Sequence, residues 1–263
     1  MLSWLIRRMV QIKSEREINC IRQSCQFVVD TFHYVGEIIR PGMTTQELDH
    51  AIEAYIRQRG GRPAFKGYRM DKNVFAFPAS SCISIEDEIV HGIPGPRRLN
   101  TGEIVKVDVG IEYQGFFGDA AKTYAIGEIS EDRQRLMRVT LEALHKGIEQ
   151  AVTGKRLQDV SHAIQTHVEG AGFFIVRELV GHGVGRRLHE EPQIPNFGEP
   201  NRGVRLRTGM VLAIEPMVNA GTEAVKTAKD QWTVRTKDGK PSAHFEHTVV
   251  VREGEAEILT KGL

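Results

Sequence analysis

The sequence is poor in several features that would each mark a specialised class of protein. It has three cysteines, Cys20, Cys25 and Cys82, in 263 residues, which are too few and odd in number for a disulfide framework. No apolar run approaches the roughly 18 residues that a membrane span needs. The formal net charge is only +1, so no overall basic field attracts nucleic acid or anionic lipid. These absences favour a cytoplasmic protein without a membrane span and without nucleic-acid specificity.

Sequence patterns of several common enzyme classes are also missing. There is no GxSxG nucleophile elbow, no GxxxxGK[ST] phosphate loop and no GxGxxG dinucleotide fingerprint. The one His-Glu pair, His189-Glu190, runs into Pro192, which breaks the helix that an HExxH zinc site needs. What is present is an ordinary globular composition, 40% hydrophobic and 26% charged, long enough to bury a substantial core.

The chain is expected to be a single domain with a short N-terminal extension. Residues 1–9 combine two arginines with apolar residues in an order that does not fit a secretory signal, so we interpret them as an extension, with Met9 as an alternative start. Residues 10–263 form the domain, which begins with a helix predicted over Glu15–Gly36.

Two stretches of the chain resemble each other, which indicates an internal duplication. Thr45–Gly60 aligns with Leu157–Gly172 at an offset of 112, and both have the apolar spacing of a helix. Thr101–Asp108 aligns with Thr208–Glu215 at an offset of 107. Each half therefore runs helix, helix, loop, strand, carboxylate, and a site between the halves is expected. The pseudo-repeats are about 12–127 and 128–252.

Two aspartates are expected to face each other across a hairpin. Ile104–Ile111 and Phe116–Tyr124 have strand composition, and Glu112–Gly115 is a plausible four-residue loop between them. That register places Asp108 directly opposite Asp119. Because like charges destabilise a partly buried hairpin, a cation must compensate.

The compensating cation is either a lysine or a shared divalent metal. Lys106 and Lys122 could form plain salt bridges with the aspartates. The second half, however, adds Glu215 and Glu246, each inside an apolar strand, where a carboxylate is normally paired or bound to metal. Four such acids and one imidazole form a donor set that suits Mn, Fe, Co or Zn better than a thiolate site does.

Three histidines lie in loops: His91 in VHGIP, His182 in GHG and His189 in LHEEP. The glycines that flank His182 are expected to let the backbone approach a site closely. His244 and His247 are interpreted as ordinary strand residues. The remaining histidines lie in helical segments and are expected to be structural or solvated: His33, His50, His145, His162 and His167.

The segments that carry these residues resemble those of a known family. They are VDVG at Asp108, GFFGDAAKT at Asp119, GHGVGRRLHEEP, AIEP at Glu215, FEHTVVV at Glu246, and VHGIP. From about Val10 to Leu263 the chain is similar to type I methionine aminopeptidases. The resemblance implies the pita-bread fold, a pseudo-twofold α+β domain with antiparallel strands backed by helices.

The resemblance also implies a role for each candidate ligand. Asp108 matches a ligand of one metal ion, Asp119 and Glu246 match ligands that bridge two ions, and His182 and Glu215 match ligands of the second ion. The implied cofactors are two divalent ions, of Co, Mn, Fe or Zn. The implied reaction is hydrolysis of the peptide bond after an initiator methionine, with a small second residue preferred.

Further residues match catalytic and substrate positions of the family. His91 and His189 match histidines that contact substrate, and both are implied to be catalytic together with Glu215. Cys82 and Trp232 match the apolar pocket for methionine, and Phe77 is a further candidate there. The chain departs from the family pattern at Leu188, where an aromatic residue is common, and at Arg69–Asn73, which looks like a small insertion.

Two other functions are compatible with the same ligand pattern. One is an X-Pro aminopeptidase or prolidase of the same fold, and the other is a non-catalytic pita-bread binding module. The partners implied by the resemblance are the N-termini of nascent peptides, with a ribosome contact left open. A monomer is expected.

Overall fold

The structure is a computed structural model that describes residues 10–69 and 74–263. Within them the chain forms four helices: α1 (Glu15–Ile38), α2 (Thr45–Gln58), α3 (Glu131–Ile148) and α4 (Leu157–Gly170). The strands are β1 (Arg62–Pro63), β2 (Cys82–Ile85), β3 (Glu88–Val90), β4 (Ile104–Tyr113), β5 (Phe116–Ala125), β6 (Phe174–Ile175), β7 (Val180–Gly183), β8 (Glu190–Pro195), β9 (Val211–Ile214), β10 (Met217–Asn219), β11 (Val225–Thr227), β12 (Val234–Thr236), β13 (Ser242–His244), β14 (His247–Val250) and β15 (Glu257–Ile258). The predicted extension over residues 1–9 lies outside the described residues, as do residues 70–73 of the predicted insertion. No described helix is long and apolar enough to cross a membrane.

The helices begin where the sequence supplies capping residues. Ser14 caps α1 and Thr44 caps α2, and in each case a glutamate three residues later completes a capping box. The predicted first helix is confirmed and continues two residues further, to Ile38. The two aligned helical segments are confirmed as α2 and α4, which both have 14 residues and begin at the aligned positions.

The predicted hairpin is present, but the register predicted for its two strands is wrong. Strands β4 and β5 are joined by a two-residue turn, Gln114 and Gly115, which both have positive φ, of 52° and 80°. Such a type I′ turn matches the twist of the flanking strands, and it lets residues 112 and 113 extend the ladder. Asp108 therefore pairs with Ala121, and Asp119 pairs with Gly110.

The hairpin belongs to a sheet of the first half. Strands β1 and β2 both pair with one edge of β4, and β5 pairs with its other edge. A five-stranded sheet of the second half has the order β15-β14-β9-β7-β8. Two smaller sheets, β13-β10-β6 and β11-β12-β3, complete the architecture. The pairings between these strands are antiparallel.

The two main sheets meet beside β5. The N–H of Glu246 donates to the carbonyl of Ala121 at 2.9 Å, and the hydroxyl of Thr248 donates to the carbonyl of Asp119 at 2.7 Å. Helices cover the sheets, with α1 and α2 packed on an apolar core of the first half and α3 and α4 on one of the second half. The junction is therefore the place where residues of both halves come together.

Candidate metal centre

The two aspartates lie on one face of the hairpin although they are not directly opposed. Asp119 pairs with Gly110, which is two residues from Asp108 on β4. Because side chains alternate along a strand, Asp108 and Gly110 share a face, and the two aspartates are diagonal neighbours. The corrected register thus still brings both carboxyl groups to the junction of the sheets, where Asp119 is buried and Asp108 is partly buried.

Glu246 reaches the aspartates from the other half of the chain. It lies between β13 and β14, and its backbone bridge to Ala121 places it beside β5. The residue is only 3% exposed, as is Asp119.

His182 and Glu215 come from neighbouring strands of the five-stranded sheet. His182 lies in β7 and pairs with Ala213 of β9, and Glu215 follows directly after β9. The backbone of Glu215 is held by Asn196, whose side-chain amide donates to the Glu215 carbonyl at 3.0 Å. The register of β7 against β9 therefore brings the imidazole and the carboxylate to the same point.

The glycines beside His182 allow neighbouring strands to pack closely against β7. A Cβ on Gly181 would lie 2.3 Å from the carbonyl oxygen of Ala213, and one on Gly183 would lie 2.4 Å from that of Glu191. Such distances leave no room for a side chain. The glycines therefore let two neighbouring strands approach the backbone closely, and their approach to a site stays a prediction. The expected loop at His182 is wrong, because this residue lies in β7.

Three side chains converge at the junction closely enough to hold one ion. Ligand atoms of Asp119, His182 and Glu246 all lie within 4.8 Å of one another. Nε2 of His182 is 3.7 Å from Oδ2 of Asp119 and 3.6 Å from Oε1 of Glu215. Asp108 lines the cavity that opens on these side chains.

Within residues 10–69 and 74–263, no lysine or arginine forms an ion pair with the carboxyl groups of the cluster, whose ionic neighbours are histidines. Burial raises the pKa of Asp108 and of Glu215 to about 7, and it raises the pKa values of Asp119 and Glu246 well above their ordinary range. One oxygen each of Asp108, Asp119 and Glu246 is buried and has no hydrogen-bond partner among the described residues. Unpaired buried carboxylate oxygens are rare in stable proteins, so this donor set fits divalent metal.

The lysines do not supply the missing charge. Lys106 is buried, but its Nζ donates to the carbonyl of Glu86 at 2.8 Å. Lys122 pairs with Val107, so its side chain lies on the opposite face of the hairpin from the aspartates. The salt-bridge alternative for these two lysines is therefore wrong.

A cavity of about 330 Å³ opens on this cluster, and every predicted site residue lines it. His189 lies beside the ligand cluster, since its ring centroid is 4.3 Å from that of His182. His91 approaches from the first half, in a left-handed backbone conformation with φ of 57°. Burial lowers the pKa of His91 to about 4, and burial together with neighbouring histidines lowers that of His189 to about 2. Both rings are thus neutral at neutral pH.

The other wall of the cavity is apolar and contains the predicted pocket residues. Phe77 packs edge-on against Trp232 with ring centroids 5.1 Å apart, and the Trp232 ring lies edge-on to His91. Cys82 pairs with Asp108 across β2 and β4, and burial raises its thiol pKa well above the ordinary value. Leu188 belongs to the same buried apolar cluster.

Several residues around the site are not predicted from the sequence. Phe65, Tyr68 and Met217 line the cavity, but each lies in a segment that has no sequence signal for a site. His244 is a strand residue as expected, in β13, yet its Nε2 is 3.5 Å from Oε2 of Glu215. Its position two residues before Glu246 is the one signal that the sequence offers.

Comparison with known proteins identifies close similarity over almost the whole chain. The sequence profile of metallopeptidase family M24 matches residues 19–253. Methionine aminopeptidase 1 of Bacillus subtilis is 49% identical over 253 residues, which cover 96% of this chain and 100% of that protein.

Solved structures give the same result. The crystal structure of methionine aminopeptidase from Thermotoga maritima superposes with a TM-score of 0.92 at 46% identity, and the match covers 96% of this chain and 100% of that one. Prolidase from Pyrococcus furiosus matches with a TM-score of 0.77 at 24% identity, over 98% of this chain and 67% of the prolidase, which shows a shared fold alone. The predicted α+β pita-bread fold is confirmed.

Proposed function

The chain belongs to metallopeptidase family M24, among its methionine aminopeptidases, and on that premise we propose that it removes the initiator methionine from polypeptides whose second residue is small. The observation that carries this proposal is one cavity with two unlike walls. One wall is the buried cluster of carboxylates and His182, and the other is the apolar surface around Trp232. A hydrolytic centre would therefore face an apolar surface that suits a methionine side chain.

We propose that the cluster holds two divalent ions, of Co, Mn, Fe or Zn. Asp119 and Glu246 would contact both ions, Asp108 would complete the site of one, and His182 and Glu215 would hold the other. The mutual closeness of Asp119, His182 and Glu246 supports a metal position that these three residues share. The chemistry that such ions supply is activation of water as a nucleophile and polarisation of the scissile carbonyl.

The chain's own residues would orient the substrate and move protons. Glu215 would accept a proton and later return it, as a carboxylate within reach of the reacting groups can do. Neutral His189 would donate a hydrogen bond to the substrate amide. Neutral His91 would stabilise the tetrahedral species or the leaving amine, and its Nδ1 has no hydrogen-bond partner within the described residues that would compete.

The apolar wall would select methionine. Phe77 and Trp232 offer ring surfaces, and Cys82 offers a protonated, polarisable thiol. Thioether and aromatic groups attract each other favourably. Leu188 adds an aliphatic contact to the same wall.

We further propose that residues 10–263 are one catalytic domain made of the two pseudo-repeats, and that it acts as a monomer in the cytoplasm. Its partners would be nascent peptide N-termini, which the ribosome presents. The three cysteines are free thiols, which supports a reducing compartment.

The proposal is tested by assaying the purified, Mn²⁺-loaded protein on three peptides. Met-Ala-Ser should be hydrolysed after its first residue, and Met-Leu-Ser should be cleaved much more slowly because its second residue is bulky. Ala-Pro-Ser represents the X-Pro alternative and should not be cleaved. Preferential cleavage of Ala-Pro-Ser would favour an X-Pro aminopeptidase, and no cleavage of any peptide by metal-loaded protein would favour a binding module.

A further inference from the structure

His244 is a buried histidine whose side chain has no hydrogen-bond partner among the described residues. It is 1% exposed, and neither Nδ1 nor Nε2 makes a hydrogen bond within them. Buried polar side-chain atoms nearly always have a partner. The groups that surround this imidazole should therefore explain why it is buried without a partner among the described residues.

The group that faces His244 is the carboxylate of Glu215. Nε2 of His244 is 3.5 Å from Oε2 of Glu215, while Oε1 of the same carboxylate is 3.6 Å from Nε2 of His182. Each oxygen of Glu215 thus faces a different imidazole. His182 and Glu215 line the cavity whereas His244 does not, so His244 lies behind the carboxylate.

The backbones on both sides of this contact are fixed. The N–H of His244 donates to the hydroxyl of Thr123 at 3.0 Å, and that hydroxyl donates to the His244 carbonyl at 2.7 Å. His244 also pairs with Met217 of β10. On the other side, Asn196 holds the Glu215 carbonyl. The freedom left between the two residues is therefore mainly side-chain rotation.

We propose that His244 is a positioning residue, whose Nε2–H donates a hydrogen bond to Oε2 of Glu215 and so turns Oε1 toward His182 and the metal centre. The separation exceeds a formed hydrogen bond by about half an ångström, which a small rotation of either side chain closes. This inference rests on the proposed role of Glu215 as a metal ligand. Hydrogen-bonded partners of this kind typically contribute 10–100-fold to metal affinity.

Two amide variants test the proposal, because the side-chain amide of each can place a nitrogen at the position of one of the two imidazole nitrogens. The amide nitrogen of His244→Gln reaches the position of Nε2, whereas that of His244→Asn reaches only the position of Nδ1. Affinity for Mn²⁺ is measured by titration calorimetry on the full-length protein. The Gln variant should bind within about threefold of wild type, and the Asn variant roughly 10–100-fold more weakly.

His247→Asn is the matched control. His247 is also buried, and its Nδ1 lies 2.8 Å from the hydroxyl of Thr260, a contact that the asparagine side chain can keep, so this variant should show no comparable loss of Mn²⁺ affinity. If His244→Asn does not fold, His244→Phe keeps the ring volume without a donor and should show the same weak binding.

Equal Mn²⁺ affinity of the Gln and Asn variants, or an equal loss in the His247 control, would overturn the positioning role. Failure of the proposed function has a different signature, since wild type would then bind Mn²⁺ but leave Met-Ala-Ser intact. A difference between the amide variants would persist in that case.

Discussion

At the scale of single residues, the buried carboxylates are the feature that most needs a cation. Asp119 and Glu246 lie where the two sheets meet, and each has a buried oxygen without a partner among the described residues. We predict that Asp119→Ala or Glu246→Ala abolishes binding of both metal ions, because each residue would contact both. Metal content after dialysis, measured by elemental analysis, checks this. Asp108→Ala is the control and should retain about one equivalent, and two equivalents in either bridging variant would contradict the assignment.

The two neighbouring histidines of the cavity should differ in what their loss removes. His182 is within 3.7 Å of Asp119 and Glu215, whereas His189 contacts the cluster through the His182 ring. We predict that His182→Ala loses metal and activity together. His189→Ala should keep its metal and lose turnover by roughly 10²–10⁴-fold, the range for a proton-transfer or transition-state hydrogen-bond role. Bound metal and kcat are measured for both variants, and a reversed pattern would exchange the roles.

The sequence predicts the inner residues of this site better than those behind them. An acid inside an apolar strand, such as Glu215, is itself a signal, because burial without a cation is too costly. His244 carries a much weaker signal, since a histidine in a strand is ordinary and its distance from Glu246 does not show which group it faces. Only the pairing of β13 with β10, a contact distant in the chain, brings His244 behind Glu215.

At the scale of elements, helices and strands are predictable from the sequence but the hairpin register is not. Capping residues and apolar spacing are local signals that mark α1 and α2, and apolar spacing alone marks α4. The β4–β5 turn has Gln114 at its first central position, where Asn or Asp is the usual marker of a type I′ turn. The sequence therefore favours a longer loop, and the predicted register differs from the observed one by two residues. A shift of two preserves the face of each side chain, which is why both aspartates still reach the site.

The close contact between α1 and β5 gives a prediction about the packing of these two elements. A Cβ on Gly118 would lie 2.6 Å from backbone atoms of Ser24 and Cys25, so Gly118→Ala must separate the helix from the strand. We expect a loss of about 1–3 kcal/mol in the free energy of unfolding, measured by urea denaturation, and weaker metal binding because Asp119 is the next residue.

Gly36→Ala is the control for this prediction. Gly36 lies in α1, and a Cβ added to it would have no described atom within 4 Å beyond its own helix backbone and chain neighbours. Alanine should therefore be neutral there or stabilise the helix by up to about 1 kcal/mol. A stable Gly118→Ala protein would show that the helix can shift without cost.

At the scale of the whole molecule, the candidate metal centre lies between the two halves of the chain, which also share apolar clusters. Asp108 and Asp119 belong to the hairpin of the first half, whereas His182, Glu215 and Glu246 belong to the second half. Direct links across the junction include the backbone bridge at Glu246 and the hydroxyl of Thr248. Metal bound at this place would therefore hold the halves together as well as carry out chemistry.

The pKa shifts of the site act on global stability in opposite directions. Burial raises the pKa of Asp108 and Glu215 to about 7, from ordinary values of 3.8 and 4.5. The fold favours the protonated carboxyls, so they contribute fully to its stability below about pH 4. This contribution to stability is lost as the pH rises through about 7. Burial lowers the pKa of His91 and His244 to about 4, so these rings oppose folding at low pH and cease to do so as the pH rises above about 6.5.

The stabilisation that bound metal provides distinguishes the effect of the carboxyls from that of the histidines, and it should grow with pH. Mn²⁺ binds the deprotonated carboxylates, so below about pH 7 binding must displace protons from Asp108 and Glu215, at up to about 1.4 kcal/mol per proton for each pH unit. At a fixed Mn²⁺ concentration, we predict that the gain in melting temperature is several degrees larger at pH 7.5 than at pH 5.5. The gain is measured as the difference between scans with and without Mn²⁺, which cancels the contribution of His91 and His244. Asp119→Ala should show little gain at either pH, and an equal gain at both pH values in the wild type would mean that these carboxyls are already ionised without metal.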